Sequence, residues 1–140
     1  IEIALARQPV EMLGGASAGH AALNRETADH SPGFAIAAIL LTGRLSHADY
    51  DTLLADPRVL GLNDATTLVE DPEATKHYPR EFPARVTLTL EGGATLSASQ
   101  RRPRPTDAQG FAAKLAQLWP SNRARAWPWQ LPGKAPAFPG

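Results

Sequence analysis

Ten consecutive residues without a charged or polar side chain, positions 32–41, constrain the fold more than any other feature. Ser31 precedes them as a helix N-cap, Pro32 suits the first helical turn, and Gly43 suits the end. The run is too short for a bilayer, which needs about 20 apolar residues. It therefore predicts a helix that is covered by protein on every face and is the central packing element.

The segments before this helix predict a strand and then irregular chain. Residues 1–5 alternate with period two, which indicates a short edge or joining strand. Residues 9–26 are rich in small residues and show no periodicity. The glycines of residues 14–19 lack the complete pattern of a phosphate-binding loop, so a plain loop is the preferred interpretation.

Shorter elements are predicted after residue 43. A second helix begins at Ser46, with Asp49 in a capping-box-like position and an apolar stripe of Tyr50, Leu53 and Leu54. A helical turn at residues 58–63 and a strand at residues 66–70 follow. Residues 71–83 contain three prolines and predict a loop.

The last regular elements are a hairpin and a helix. Two alternating segments flank the turn at residues 91–94 and predict an antiparallel hairpin. Its core-facing side chains are predicted to be Val86, Leu88, Leu90, Leu96 and Ala98. Thr106 and Gln109 form a capping box before an amphipathic helix, and residues 120–140 predict an irregular tail rich in proline and tryptophan. The element order predicts an α+β domain whose antiparallel sheet is packed against helices on one face.

Composition excludes several classes of function. Fourteen basic and fourteen acidic residues cancel, so the chain lacks the basic field that nucleic acid or an anionic membrane requires. There is no cysteine, which excludes disulfides and a cysteine nucleophile and is compatible with the cytoplasm. The four histidines are scattered without metal-ligand spacing, so we expect neither a metal nor another cofactor.

The densest polar constellation, residues 25–31, lies where the apolar helix begins. A helix N-terminus attracts anions, so Arg25 and Ser31 are candidates for binding a carboxylate there. His30 is the candidate catalytic acid or base. The alternative is purely structural: Asp29 and Ser31 cap the helix, and His30 bonds a backbone carbonyl.

Several separated segments together resemble the C-terminal small domain of the MmgE/PrpD family. They occur in the family's order and with similar spacing over residues 1–119, and they are residues 25–31, 34–43, 56–60, 69–72, 83–93 and 111–115. The resemblance implies a domain at residues 1–119 followed by the tail at residues 120–140. It also implies a lyase of the 2-methylcitrate dehydratase type, active on small di- or tricarboxylates in propionate metabolism.

The resemblance further implies that most catalytic residues lie in a large helical domain, that no metal is obligatory, and that the protein is a homodimer. Family members carry His-Ser-x-x-Tyr where this chain has His30, Ser31 and Phe34. Position 34 is therefore a third expected substrate-binding position, and its tyrosine hydroxyl is missing. Two functions remain open. The chain is either a small domain that is inactive without its helical partner, or a non-catalytic module for binding or self-association.

Overall fold

The computed structural model describes residues 1–13, 24–103 and 107–118. The chain divides into two units, Ile1–Pro103 and Arg104–Gly140. The first unit contains, in chain order, β1 (Glu2–Leu5), α1 (Arg7–Met12), α2 (Arg25–Asp29), α3 (Pro32–Thr42), a 3-10 helix (His47–Asp49), α4 (Tyr50–Leu54), α5 (Pro57–Asp64), β2 (Thr67–Glu70), α6 (Pro72–His77), β3 (Ala84–Thr89) and β4 (Thr95–Gln100). No helix in the described ranges is long and apolar enough to cross a membrane.

The sheet has the order β2-β1-β3-β4 and is mixed. The predicted α+β class is confirmed, but the prediction of an antiparallel sheet is wrong for one pair. β1 and β2 are parallel, while β1–β3 and β3–β4 are antiparallel. The helices α1–α5 lie between β1 and β2 in the chain, and such a crossover allows the second strand to return in the same direction.

β1 is an inner strand, so its prediction as an edge or joining strand is wrong. Ile3 pairs with Leu68 on one side and with Val86 on the other. Ile3 and Ala4 are buried. The pairing partners lie more than sixty residues away, and a local alternation pattern contains no information about them.

α3 confirms the predicted helix and both of its ends. The Ser31 hydroxyl accepts a hydrogen bond from the Phe34 N–H at 3.2 Å. Gly43 ends the helix with φ 75°, a left-handed conformation that favours glycine. Phe34, Ala37 and Ala38 form the main core with side chains of α4 and α5.

The prediction that α3 is covered on every face is wrong. Ile39 and Leu40 remain 45% and 46% exposed, and Leu41 is also exposed. Within the first unit, the core cluster includes only the face of α3 that carries Phe34, Ala37 and Ala38. An apolar sequence shows that a helix can be buried on all sides, but the neighbouring elements decide which sides are buried.

Gly33 allows α3 and α5 to approach closely. A Cβ atom at this position would lie 2.8 Å from Asn63 Oδ1 and 3.2 Å from Thr66 Cβ. Asn63 and Thr66 are both buried, so neither can move into solvent. The glycine is therefore required by packing.

Gly33→Ala is expected to lower the free energy of unfolding by about 1–3 kcal/mol, because it overpacks this contact. Gly61→Ala is the matched control, since Gly61 lies in α5 and a methyl group there would meet no other atom within 4 Å. That change is expected to stabilise the chain by about 0.5–1 kcal/mol through helix propensity. Denaturant unfolding of both variants measures the difference, and equal effects would contradict the close approach.

The helices between α3 and β2 largely follow the prediction. The predicted helix from Ser46 is divided into the 3-10 helix and α4, and the Ser46 side chain makes no capping hydrogen bond. Tyr50 and Leu53 are buried as the stripe predicted, and Leu54 is half-buried. The predicted turn is the eight-residue α5, and β2 confirms the strand.

Two helices occupy segments that were predicted to be irregular. Within residues 71–83, α6 begins at Pro72, and the Asp71 carboxylate accepts hydrogen bonds from the N–H groups of Glu73 and Ala74 at 2.9 and 3.3 Å. Proline at the first helical position starts a helix instead of breaking it. α1 likewise occupies residues 7–12. The glycine-rich segment at residues 14–19 lies outside the described residues.

The hairpin is confirmed, with Val86 opposite Ala98 and Leu88 opposite Leu96. Gly92 and Gly93 adopt positive φ angles in its turn. The expectation that its apolar face lies in the core is wrong for the first unit. Leu96 is 58% exposed, Leu90 and Ala98 are exposed, and Val86 and Leu88 are half-buried. Alternation identifies the side chains that share a face, but not whether another element covers that face.

In the second unit, the predicted amphipathic helix is confirmed as α7 (Ala108–Leu118). Its first turn is capped by Asp107, whose carboxylate accepts a hydrogen bond from the Gly110 N–H at 2.7 Å. The predicted cap Thr106 lies outside the described residues, and so does the predicted tail at residues 120–140.

Candidate functional site

The polar constellation of residues 25–31 forms one short helix and the turn that leads into α3. α2 begins with a capping box, in which Asn24 Oδ1 accepts from the Thr27 N–H and Thr27 Oγ1 accepts from the Asn24 N–H, both at 3.0 Å. A five-residue helix has little stability of its own, so these local bonds are needed to form it. Arg25 lies at its start and His30 immediately after its end.

His30 is exposed and has a defined ring orientation. Its Nδ1 lies 2.9 Å from the Glu26 carbonyl oxygen. A carbonyl only accepts hydrogen bonds, so Nδ1 carries the proton and Nε2 is the acceptor nitrogen of the neutral ring. The carbonyl bond is the one that the structural alternative predicted. It also leaves a basic nitrogen on an exposed imidazole, and the catalytic role stays a prediction.

The Ser31 hydroxyl is buried and already has two partners. It accepts from the Phe34 N–H and donates to Asn63 Oδ1 at 2.9 Å. A carboxylate can only accept hydrogen bonds, so at Ser31 it must replace the bond to Asn63. Asn63 was not predicted, because it is 32 residues away in the chain and nothing in its surroundings distinguishes it from a surface asparagine of α5.

The Phe34 side chain is completely buried in the first unit. Its ring centroid lies 5.5 Å from that of Tyr50, with the planes at 47°, a favourable arrangement for aromatic packing. The structure thus places Phe34 in the core. Its substrate-binding role stays a prediction, and so does that of Ser31.

Arg25 joins α2 to the elements that follow α3. One terminal nitrogen donates to the His47 carbonyl at 2.5 Å, and Nε lies 3.2 Å from the Asp51 carboxylate. The guanidinium carbon lies 6.0 Å from the centre of the Tyr50 ring. Two of the five N–H groups of the guanidinium are used in these contacts, so the half-exposed side chain keeps donors for a carboxylate.

Tyr50 also belongs to the site. The sequence predicted it only as a core residue on the apolar stripe of its helix. Its ring is buried, and the Asp29 carboxylate acts on its hydroxyl. Burial, followed by the interaction with the Asp29 carboxylate, raises the pKa of Tyr50 to about 12, while the charge of Arg25 opposes this rise. The helical stripe predicted a buried tyrosine, but not the influence of Asp29 on its hydroxyl.

The raised pKa of Tyr50 predicts a loss of stability at high pH. The pKa in the folded chain is about 12, against an ordinary value of 10.0. The stabilisation is therefore complete below pH 10 and is lost as the pH rises towards 12, by roughly 2–3 kcal/mol. Tyr78 is the second of the two tyrosines, so Tyr78→Phe leaves Tyr50 as the sole tyrosine chromophore. Tyrosinate absorbance should then titrate near pH 12, and a midpoint near 10 would contradict the burial of the hydroxyl beside a carboxylate.

Two cavities lie elsewhere in the first unit. One cavity, of about 250 Å³, has charged and polar side chains in its lining, which includes Asp71, His77, Arg85 and Arg101. An apolar groove of about 310 Å³ lies between α3 and the hairpin, and its lining includes Ile36, Ile39, Leu40, Leu88 and Leu96. His30 lines neither of these cavities. Among the described residues there is no group of three or more side chains suited to hold a metal.

The chain is similar to proteins of one known family. The family model described as the MmgE/PrpD C-terminal domain matches residues 1–118. A 2-methylcitrate dehydratase from Cupriavidus necator is 33% identical over 114 residues, covering 70% of this chain and 24% of that protein. This chain thus spans about a quarter of the length of that relative. No solved structure matches the chain significantly. The resemblance seen in the separated segments is confirmed, and the chain belongs to the MmgE/PrpD family as its C-terminal domain.

Proposed function

We propose that this chain is the small domain of an MmgE/PrpD dehydratase that removes water from a small di- or tricarboxylate. The observation that carries the proposal is the match of residues 1–118 to one domain of this family. The similarity to 2-methylcitrate dehydratase supports 2-methylcitrate as the first substrate to test. The lack of cysteine supports a cytoplasmic location.

The residues around the start of α3 supply part of the chemistry that dehydration needs. A base must remove a proton next to a carboxylate, and the departing hydroxide must be protonated. His30 Nε2 is suited to one of these transfers, since Nδ1 is held by the Glu26 carbonyl. Arg25 keeps N–H groups for a substrate carboxylate, and the partial positive charge at the start of α3 favours the same anion.

The proposed enzyme also needs a large helical domain or partner chain. His30 is exposed and lines neither of the two cavities described above, and we propose that residues outside this chain complete a cleft around it. The single small domain is therefore proposed to be inactive alone. We further propose a homo-oligomer, in keeping with the family resemblance.

A second candidate function is a non-catalytic module for self-association or binding. The observation that favours it is the exposed apolar groove, where Leu40 and Leu96 are 46% and 58% exposed. Apolar patches of this kind mark protein interfaces when they are contiguous. In this alternative, a second copy of the chain covers the groove.

Light scattering distinguishes the two candidates. The chain is measured alone and after mixing with the part of the Cupriavidus necator relative that precedes its matching region. The proposed function predicts a mixed complex, whereas the alternative predicts a homo-oligomer that ignores this partner. Leu40→Asp should abolish that homo-oligomer, and Met12→Asp is the matched control because Met12 is exposed outside the groove. A monomer that binds nothing would contradict both functions.

A further inference from the structure

The cavity of about 250 Å³ lies where α6 meets one end of the sheet. Ala4 of β1, His77 of α6 and residues 84, 85 and 99–101 of the hairpin contribute to its lining. Its volume is slightly below the range of about 300–1,000 Å³ that is typical of pockets for drug-sized molecules. The cavity therefore suits a smaller molecule.

Two guanidinium groups, those of Arg85 and Arg101, belong to this lining. Arg85 lies opposite Ser99 in the hairpin, so both side chains are on the same face of the sheet. A terminal nitrogen of Arg85 lies 3.4 Å from Asp71 Oδ2, which is longer than a good hydrogen bond. Arg101 donates to the Glu81 carboxylate through Nε. Both arginines thus keep terminal N–H groups for a further acceptor.

The carboxylates around the cavity already have cationic partners. The ion pairs are Asp71 with Arg85, Glu73 with Lys76, and Glu81 with both Arg101 and Arg102. The Asp71 carboxylate is occupied further, because it accepts two backbone N–H bonds at the start of α6. In these pairs four cations face three carboxylates. The excess of one positive charge favours an anion with a single charge.

Another part of the wall is apolar and consists of Ala4, Ala74, Pro83 and Ala84. Ala4 and Ala74 are buried. An inorganic anion gains nothing from such a wall, whereas a short hydrocarbon chain gains free energy when it leaves water. The combination of charged and apolar walls therefore favours an organic anion.

We propose that this cavity binds a small organic monocarboxylate. The guanidinium groups of Arg85 and Arg101 bind its carboxylate, since paired N–H donors match the two oxygens of a carboxylate. Its hydrocarbon part lies against the alanines and Pro83. The proposal does not rest on the proposed function, because Arg25, His30 and Ser31 do not line this cavity.

The test is an NMR titration of the full chain with butyrate at constant ionic strength. The ring signals of His77 report binding, because His77 lines the cavity, and a His77→Gln variant assigns them. We expect shifts that saturate with butyrate, and no saturation with butyramide, which has the same shape but no charge. Inorganic phosphate should require a higher half-saturating concentration than butyrate.

Arg101→Gln is expected to raise the half-saturating concentration of butyrate about 3- to 10-fold, the effect of losing one hydrogen bond to a charged group at a partly exposed site. Arg102→Gln is the matched control. It removes the same charge from the same Glu81 carboxylate, but Arg102 does not line the cavity, so the change should stay below about 2-fold. Each variant leaves Glu81 with one arginine partner.

Shifts that rise linearly with butyrate would overturn the proposal, and so would saturation by butyramide or tighter binding of phosphate. Equal effects of Arg101→Gln and Arg102→Gln would also overturn it. If Arg101→Gln does not fold, Arg85→Lys replaces it, because lysine keeps the charge but loses the paired donors, and butyrate should again bind more weakly. The titration requires no turnover, so its outcome is independent of the proposed dehydratase activity.

Discussion

His30→Gln is expected to lower kcat by about 10²- to 10⁴-fold in a chimera that joins this chain to the Cupriavidus necator dehydratase in place of its matching region. Glutamine keeps a polar side chain of similar reach but cannot exchange a proton near neutral pH. The imidazole is exposed and its Nδ1 bonds only a backbone carbonyl, so its removal leaves the core unchanged. The loss should appear in the steady-state rate without a matching loss of stability.

His77→Gln is the matched control for this prediction. His77 is also an exposed histidine at the end of a helix, but it lines the cavity of about 250 Å³ and does not lie at the start of α3. The chimera that carries His77→Gln should keep the kcat of the chimera that carries no substitution. If His30→Gln keeps that kcat too, His30 is not the catalytic residue, and the structural interpretation of its carbonyl bond is the correct one.

Phe34→Ala is expected to lower the free energy of unfolding by about 3–5 kcal/mol. The ring is completely buried and contacts Tyr50 in the main core, so truncation leaves a cavity that the short helices around it cannot close. A domain of this size has about 5–15 kcal/mol in total, so the variant loses a large part of its stability. Denaturant unfolding followed by circular dichroism measures the change.

Phe111→Ala is the control for Phe34→Ala, since Phe111 is an exposed phenylalanine of α7. Its effect should stay within about 0.5 kcal/mol. A loss below about 1 kcal/mol for Phe34→Ala would show that the ring is not part of the core. Position 34 would then be open to a substrate, as the family resemblance implied.

The sequence predicted those parts of the fold that short-range signals determine. Ser31, Pro32 and Gly43 mark the ends of α3, and the alternation around the glycine turn marks the hairpin. It did not predict that β2 lies parallel to β1, because that pairing joins residues more than sixty positions apart. Pro72, the first residue of α6, was interpreted as a loop residue, although its neighbour Asp71 makes it a helix start.

The candidate site shows the same limit. Arg25, His30 and Ser31 were predictable because they lie within two turns of the same helix boundary. Asn63 and Tyr50 come from α5 and α4, and only the folded chain brings them to Ser31 and Asp29. Burial was the least predictable property, because an apolar face such as that of Leu40 or Leu96 has the same pattern whether it is covered or exposed.

The most direct test of the proposed function is the rate at which the unchanged chimera removes water from 2-methylcitrate. The relative without its matching region is the reference, and this chain alone is the second reference. We expect dehydration by the chimera and none by either reference, because this chain supplies one part of a cleft that neither fragment completes. A folded chimera that is no faster than the truncated relative would contradict the proposed function.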